Sequence, residues 1–237
     1  MFLEVRHSMN LLIYPNLELS PQEHMAFDEW MLLQSSKGGS LGLRVYRMDN
    51  TYSFGRNQKF TELEGHFLRH SDQEPQWVRR PTGGGTVCHS SDIIYALSIP
   101  REHDLCSLKI LDLYKVLHES VSEALCSSGI NTILNNQKSP SNPKFCFESP
   151  NQYDLMKAQT LEKVGGSALK KSQDCILIQG SLECGLNKED FLQLFVDQLT
   201  QKYDLNHSHY SEPQHLDCPN WHSLCERYKS EAWKLKI

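Results

Sequence analysis

The chain has 237 residues, 39% of them hydrophobic and 22% charged, with 24 Lys plus Arg against 29 Asp plus Glu. That length suits one large domain or a domain with a small appendage, and the charge balance excludes the global basic field that bulk nucleic-acid binding uses. No apolar run approaches the roughly 18 to 20 residues of a membrane span, and residues 1–7 carry charges where a signal peptide keeps an apolar core, so the cytoplasm is the expected compartment.

Ser20-Pro21-Gln22-Glu23 combines an N-cap serine, a proline at the first helical position and a glutamate at the third. This capping box predicts a helix through about Leu33, stopped by Gly38-Gly39. Residues 41–46 alternate with period two and predict a half-buried strand. Residues 52–58 form a short strand running into a polar turn, and residues 76–80 a third strand. Residues 92–99 are largely apolar, as in a strand covered on both faces, and Pro100 ends it.

Residues 107–127 carry apolar side chains at helical period, closed by Ser128-Gly129. A short strand at 130–134 leads into residues 135–144, which have no apolar content and predict an exposed loop. Residues 163–170 and 175–182 form a hairpin turning near Asp174, and Asn187 caps a helix through Leu199. Polar residues 206–214 read as a linker into a last helix near 220–234. The expected fold is therefore mixed α/β (α+β): a central mixed or antiparallel sheet bracketed by helices. Residues 1–205 make the main domain and residues 206–237 a C-terminal helical extension.

The eight cysteines are scattered, without a Cys-x-x-Cys pair, so most are expected to be reduced and inert. His215, Cys218, His222 and Cys225 have spacings a zinc ion could use, but His222 and Cys225 fall in an amphipathic helix and the pattern matches no structural zinc motif. No metal is assigned.

The stretch Val78-Arg79-Arg80-Pro81-Thr82-Gly83-Gly84-Gly85-Thr86-Val87-Cys88-His89 carries the most chemistry. Three glycines together suggest a backbone needing positive φ or close approach, and two guanidinium groups suit bidentate capture of phosphate or carboxylate. The alternative is a surface hairpin with two solvated arginines.

This stretch resembles the Arg-Arg-x-Thr-Gly-Gly-Gly signature of lipoate-protein ligases. Lys163-Val164-Gly165-Gly166-Ser167-Ala168 resembles their Lys-Val/Ile-x-Gly-Ser-Ala block, and Gln179-Gly180-Ser181-Leu182 their His-Gly-Ser/Thr-Leu strand. Together with Met25–Glu29 and Gly55–Gln58, the likeness covers about residues 20 to 200. It implies the catalytic fold shared by biotin and lipoate ligases over residues 1–205, with no full accessory domain in residues 206–237 and with an acyl tail in an apolar tunnel beside the glycine loop. Lys163 would match the essential lysine, its ammonium beside the acyl carbonyl. Arg79, Arg80, Thr82, Gly83, Gly84, Gly85, His89, Gly166, Ser167, Ala168, Gln179 and Gly180 would hold the acyl group or its adenylate. The alternative for Lys163 is a strand-edge lysine.

The resemblance implies attachment of lipoate or octanoate, activated by ATP and Mg2+, to a lysine of a lipoyl-carrier domain. Partners would be lipoyl domains of 2-oxoacid dehydrogenase E2 subunits or the glycine cleavage H protein, and possibly acyl carrier protein; no nucleic acid or membrane is expected, and the chain is expected to be a monomer. Two departures stand out. His89 is followed by Ser90-Ser91 where the family often has His-Asp, and Gln179 replaces the usual His. The segment Cys146-Phe147-Glu148-Ser149-Pro150 also resembles octanoyltransferases of the same fold. There Cys146 would be an acyl-enzyme nucleophile and no nucleotide would be needed. A buried cysteine between two phenylalanines is the alternative for Cys146, and an inactive acyl- or carrier-binding relative the alternative for the chain.

Overall fold

A computed structural model describes residues 9–63, 74–137, 150–211 and 218–236. Helix α1 (Pro21–Gly38) begins as the capping box requires: the Glu23 amide donates to Ser20 Oγ at 3.4 Å and the Ser20 amide to Glu23 Oε2 at 2.9 Å. It continues past Leu33 through a polar last turn until Gly39, at φ 64°, ends it in the left-handed conformation. The helix is buried almost all round because it lies between two sheets and a C-terminal helix.

The described strands are β1 (Asn10–Ile13), β2 (Leu41–Tyr46), β3 (Thr51–Phe54), β4 (Gln76–Arg79), β5 (Val87–His89), β6 (Ile93–Pro100), β7 (Thr132–Leu134), β8 (Leu155–Lys157), β9 (Lys163–Lys171), β10 (Cys175–Leu182) and β11 (Asn206–His209). Eight form one sheet in the order β11-β1-β2-β6-β10-β9-β8-β7, and three form a second in the order β4-β3-β5. The expected hairpin of β9 and β10 is present, with Gln179 opposite Ala168. The large sheet is mixed, since β1 runs parallel to β2 and β11 while β2, β6, β10 and β9 are antiparallel neighbours.

Helices α2 (Ile110–Ser127) and α3 (Lys188–Tyr203, capped by Asn187) cover one face of the large sheet. Helix α1 covers the other, with α4 (Pro219–Lys229) packed on it. Strand β2 is consequently buried at all six residues rather than half-buried, because α1 lies over one face and α3 reaches the other. Residues 206–209, expected as linker, form the edge strand β11 in parallel register with β1. Its four side chains are exposed and polar, and it is held by backbone pairing with a side-chain bond from Asn10 Nδ2 to Ser208 Oγ at 3.0 Å. The expected last helix is two, α4 and α5 (Glu231–Leu235), broken at Ser230, whose extended backbone lets its hydroxyl cap the Trp233 amide at 3.2 Å. No described helix is long and apolar enough to cross a membrane. His215 and most of the expected 135–144 loop lie outside the described residues.

Candidate active site

Opposed residues in a ladder share a face, so register lays out a floor across the large sheet. Gly166 faces Ser181, Ser181 faces Ile94, and Ile94 faces Tyr46. Over this floor, roofed by α1 and the small sheet, lies a narrow cavity. Met25, Met48, Val87, Ile94 and Ala168 give it apolar walls, and Ser53, Arg80, His89, Gln179 and Ser181 are its polar positions.

The two signature arginines are buried and spend their donors on backbone carbonyls. Arg79 Nε donates to Trp233 O at 2.9 Å and one terminal nitrogen to Lys234 O at 2.7 Å; the other donates to Arg56 O at 2.8 Å and Gln58 O at 2.7 Å. Its guanidinium stacks over Phe54 at 4.7 Å. Arg80 donates to Ser53 O at 2.7 Å and Ser53 Oγ at 2.8 Å, and to Gly83 O at 2.9 Å and Gly85 O at 2.7 Å. Neither guanidinium is a solvated surface group: both are buried and engaged with carbonyls of the chain itself. The carbonyls of Gly83 and Gly85 pair with no ladder, and the Arg80 fork satisfies them. Gly84 sits at φ 84°, where an added Cβ would lie 3.3 Å from Ala168 Cβ.

Thr82 and Gln179 tie the loop to the core. Thr82 Oγ1 donates to Gln179 Oε1 at 2.7 Å, and Gln179 Nε2 donates to Asp28 Oδ2 at 2.6 Å. Asp28 also accepts from Tyr46 at 2.7 Å and Arg44 at 3.1 Å, all within the interior. Burial pushes the Asp28 carboxyl up, against the pull of the Arg44 charge and the Tyr46 and Gln179 donors. Arg44 donates at 2.8 Å to His24 Nδ1, which must therefore be an acceptor. Burial first, and then the Arg44 charge, lower His24 from 6.5 to about 3, so it stays neutral.

A second chain of hydrogen bonds runs beneath the glycine loop. His89 Nδ1 lies 2.7 Å from Asp92 Oδ2 and His89 Nε2 lies 2.6 Å from Ser53 Oγ. Asp92 further accepts from Ser181 Oγ at 2.6 Å and from the Ser90 amide at 3.2 Å. Burial alone would raise the Asp92 carboxyl, but the bonds from His89, Ser181 and Ser90 outweigh it and hold it below the ordinary range. Asp92, three positions on, thus supplies the carboxylate that does not directly follow His89 in the sequence.

Lys163 and Asp154 form a buried pair at 2.7 Å, with side chains 4% and 6% exposed. β9 has neighbours on both sides, so Lys163 is no edge lysine. The Asn151 amide donates to Asp154 Oδ2 at 2.6 Å. A Cβ at Gly166 would fall 2.5 Å from Asp154 Oδ1 and 3.3 Å from Lys163 Cε, so the missing side chain is what admits the pair beside the cavity floor. His118 Nδ1 donates to Tyr153 O at 2.6 Å, which leaves Nε2 to accept from Ser167 Oγ at 2.7 Å; burial lowers its pKa and keeps it neutral.

Of the expected residues, Arg80, His89, Gly166 to Ala168, Gln179 and Gly180 line one cavity, Gly83, Gly85 and Thr82 are bonded to its Arg80 and Gln179, and Lys163 lies beside Gly166. Arg79 points instead toward α5. Cys146 lies outside the described residues. Sequence reasoning missed Asp28, Ser53, Asp92, His118 and Asp154. The one available signal was an acid set among apolar or aromatic neighbours, as in Phe27-Asp28 and Tyr153-Asp154-Leu155. No cluster of metal-ligating residues occurs among the described residues.

The family model for the lipoyl protein ligase A/B catalytic domain matches residues 20–214. The chain is 30% identical over 198 residues to octanoyltransferase LipM of Oceanobacillus iheyensis, covering 78% of this chain and 70% of that protein. It spans 66% of the length of the Bacillus subtilis LipM. Among solved structures it resembles lipoate-protein ligase A bound with ATP (16% identity, TM-score 0.71, 96% of this chain and 98% of that one). It also resembles a bi-partite lipoate protein ligase from Thermoplasma acidophilum, described with its E2 lipoyl domain (14%, 0.69, 97% and 97%). With the fold, the loop and the matched signature in agreement, the chain belongs to the lipoyl protein ligase A/B catalytic-domain family.

Proposed function

We propose that this protein transfers an octanoyl or lipoyl group to a lysine of a lipoyl-carrier domain, with a thioester on Cys146 as the intermediate. The Cys146 thiolate attacks the carbonyl of a carrier-bound thioester and the carrier thiol leaves. The acceptor lysine amine then attacks the acyl-enzyme, releasing the Cys146 thiol. The Lys163 ammonium, fixed by Asp154, stabilises the charge that develops on the carbonyl oxygen in both steps. The cavity beside Gly166 takes the acyl tail. Lipoyl domains of the E2 type and the glycine cleavage H protein are the acceptors in this reading, and an acyl carrier protein the donor.

The observation that carries this reading is the commitment of both signature guanidiniums to backbone carbonyls, which takes them away from an adenylate phosphate. The 30% identity to an octanoyltransferase points the same way. The ligase reading, with ATP and Mg2+, draws support from the unbroken Gly83-Gly84-Gly85 run.

The test is to incubate the protein with an apo lipoyl domain and either octanoylated carrier protein or free octanoate or lipoate with ATP and Mg2+, reading the acceptor mass. Product from the carrier thioester alone, lost in Cys146→Ser, is expected. Product only with free acid and ATP would establish the ligase instead. No product from either donor would leave an acyl- or carrier-binding protein.

A further inference from the structure

The hydrogen bonds beneath the glycine loop form one unbroken path. Ser181 on β10 donates to Asp92, Asp92 accepts from His89, His89 meets Ser53 on β3, and Ser53 accepts from Arg80. Arg80 then grips Gly83 O and Gly85 O. Every member is buried, each less than 9% exposed.

Donor and acceptor roles along the path follow from the chemistry of its ends. The Asp92 carboxylate can only accept, so His89 Nδ1 carries a proton toward it. Arg80 can only donate, so Ser53 takes that bond on oxygen while its hydroxyl also meets His89 Nε2. Ser53 is therefore held between His89 and Arg80.

The far end of the path is the glycine loop, which has little conformational preference of its own. A trans peptide is planar, so fixing the Gly83 carbonyl against Arg80 fixes the Gly84 N–H in the opposite direction. We infer that Asp92, His89 and Ser53 are positioning residues that act through Arg80 to hold the Gly84 amide of the glycine loop where it stabilises an acyl carbonyl oxygen gaining charge. Arg80 serves the reaction through the backbone rather than by contact with substrate. This rests on the acyl-transfer reading for its chemistry, but the path and its effect on the loop do not.

Two readouts on one set of variants test it: amide hydrogen exchange at Gly83 to Gly85, and the kcat and KM of octanoyl transfer. Ser53→Ala cuts the path at its centre with loss of one oxygen. It is expected to speed exchange of the loop amides about 10-fold or more and to lower kcat about 10-fold, leaving KM for the acceptor within about twofold. Ser53→Thr keeps the hydroxyl and is expected to restore both. Should Ser53→Ala fail to fold, Asp92→Asn, which keeps shape but loses charge, takes its place with the same expectation.

Unchanged loop exchange in a folded variant overturns the relay, and so does a kcat loss without a change in the loop, or a loosened loop with undiminished kcat. If the wild-type protein uses ATP and free acid instead, kcat is read on that reaction. If it has no transfer activity at all, the exchange result decides the relay alone.

Discussion

Lys163 Nζ and Asp154 Oδ2 lie 2.7 Å apart at side-chain exposures of 4% and 6%, a charge pair almost wholly removed from water. Such a pair gains little over apolar residues of the same shape, yet breaking it leaves an uncompensated buried charge. Asp154→Ala is therefore expected to cost about 3–5 kcal/mol in urea unfolding, and Asp154→Ala with Lys163→Met to recover most of it. A double variant no more stable than Asp154→Ala would show the pair is not coupled. Lys163→Met alone is expected to lower acyl transfer by about 100-fold or more.

Gly166→Ala tests the geometry of the same pair without removing a charge. The new Cβ would arrive 2.5 Å from Asp154 Oδ1, so the carboxylate and its lysine must move. Displacement of a catalytic group by about 1 Å is expected to lower kcat about 10- to 100-fold. Wild-type kcat in a folded Gly166→Ala protein would mean that the pair sits away from the chemistry.

Arg79 joins two distant segments of the chain. Its donors end on carbonyls of Arg56, Gln58, Trp233 and Lys234, which a lysine cannot reach together. Arg79→Lys is expected to lose about 2–4 kcal/mol of stability and to loosen α5, seen as faster amide exchange at residues 231–235. Loss of activity with unchanged stability would point to a substrate contact instead.

His24 makes stability pH-dependent with a definite sign. Burial, then the Arg44 charge, lower it from 6.5 to about 3 in the folded chain. Between those values the unfolded chain binds a proton that the folded chain refuses, so stability is full above about pH 6.5 and falls as pH drops. Going from about pH 7 to about pH 5 should cost about 2 kcal/mol from this residue, and His24→Phe should flatten that part of the profile. An identical slope in the variant would assign the loss to other groups.

Much of this architecture was legible in local sequence. The Ser20–Glu23 box, the turn at Asp174 and the Asn187 cap are each decided within a few residues, and each forms as the sequence indicates. Strand β11 was not legible because Asn206–His209 pairs through backbone groups and buries no side chain, so composition carries no trace of it. At the site, the sequence identifies donors but not their acceptors. The sequence marks Arg79 and Arg80 as donors, and nothing in it announces that a carbonyl 155 positions away will accept from Arg79. Asp154 escaped notice for the same reason, since it meets Lys163 only across the β8–β9 irregularity.

The bond from Arg79 to the carbonyl of Lys234 also bears on how the chain is made. Synthesis runs from the N-terminus, so the signature loop emerges long before the residues that secure it, just as β1 waits for β11 to take its place at the sheet edge. Contacts so distant along the chain close late and slowly. A nascent polypeptide that has not yet reached Trp233 would carry the glycine signature and most of the sheet with Arg79 held by Arg56 and Gln58 alone, and the second half of that grip would close only when residues 233 and 234 arrive.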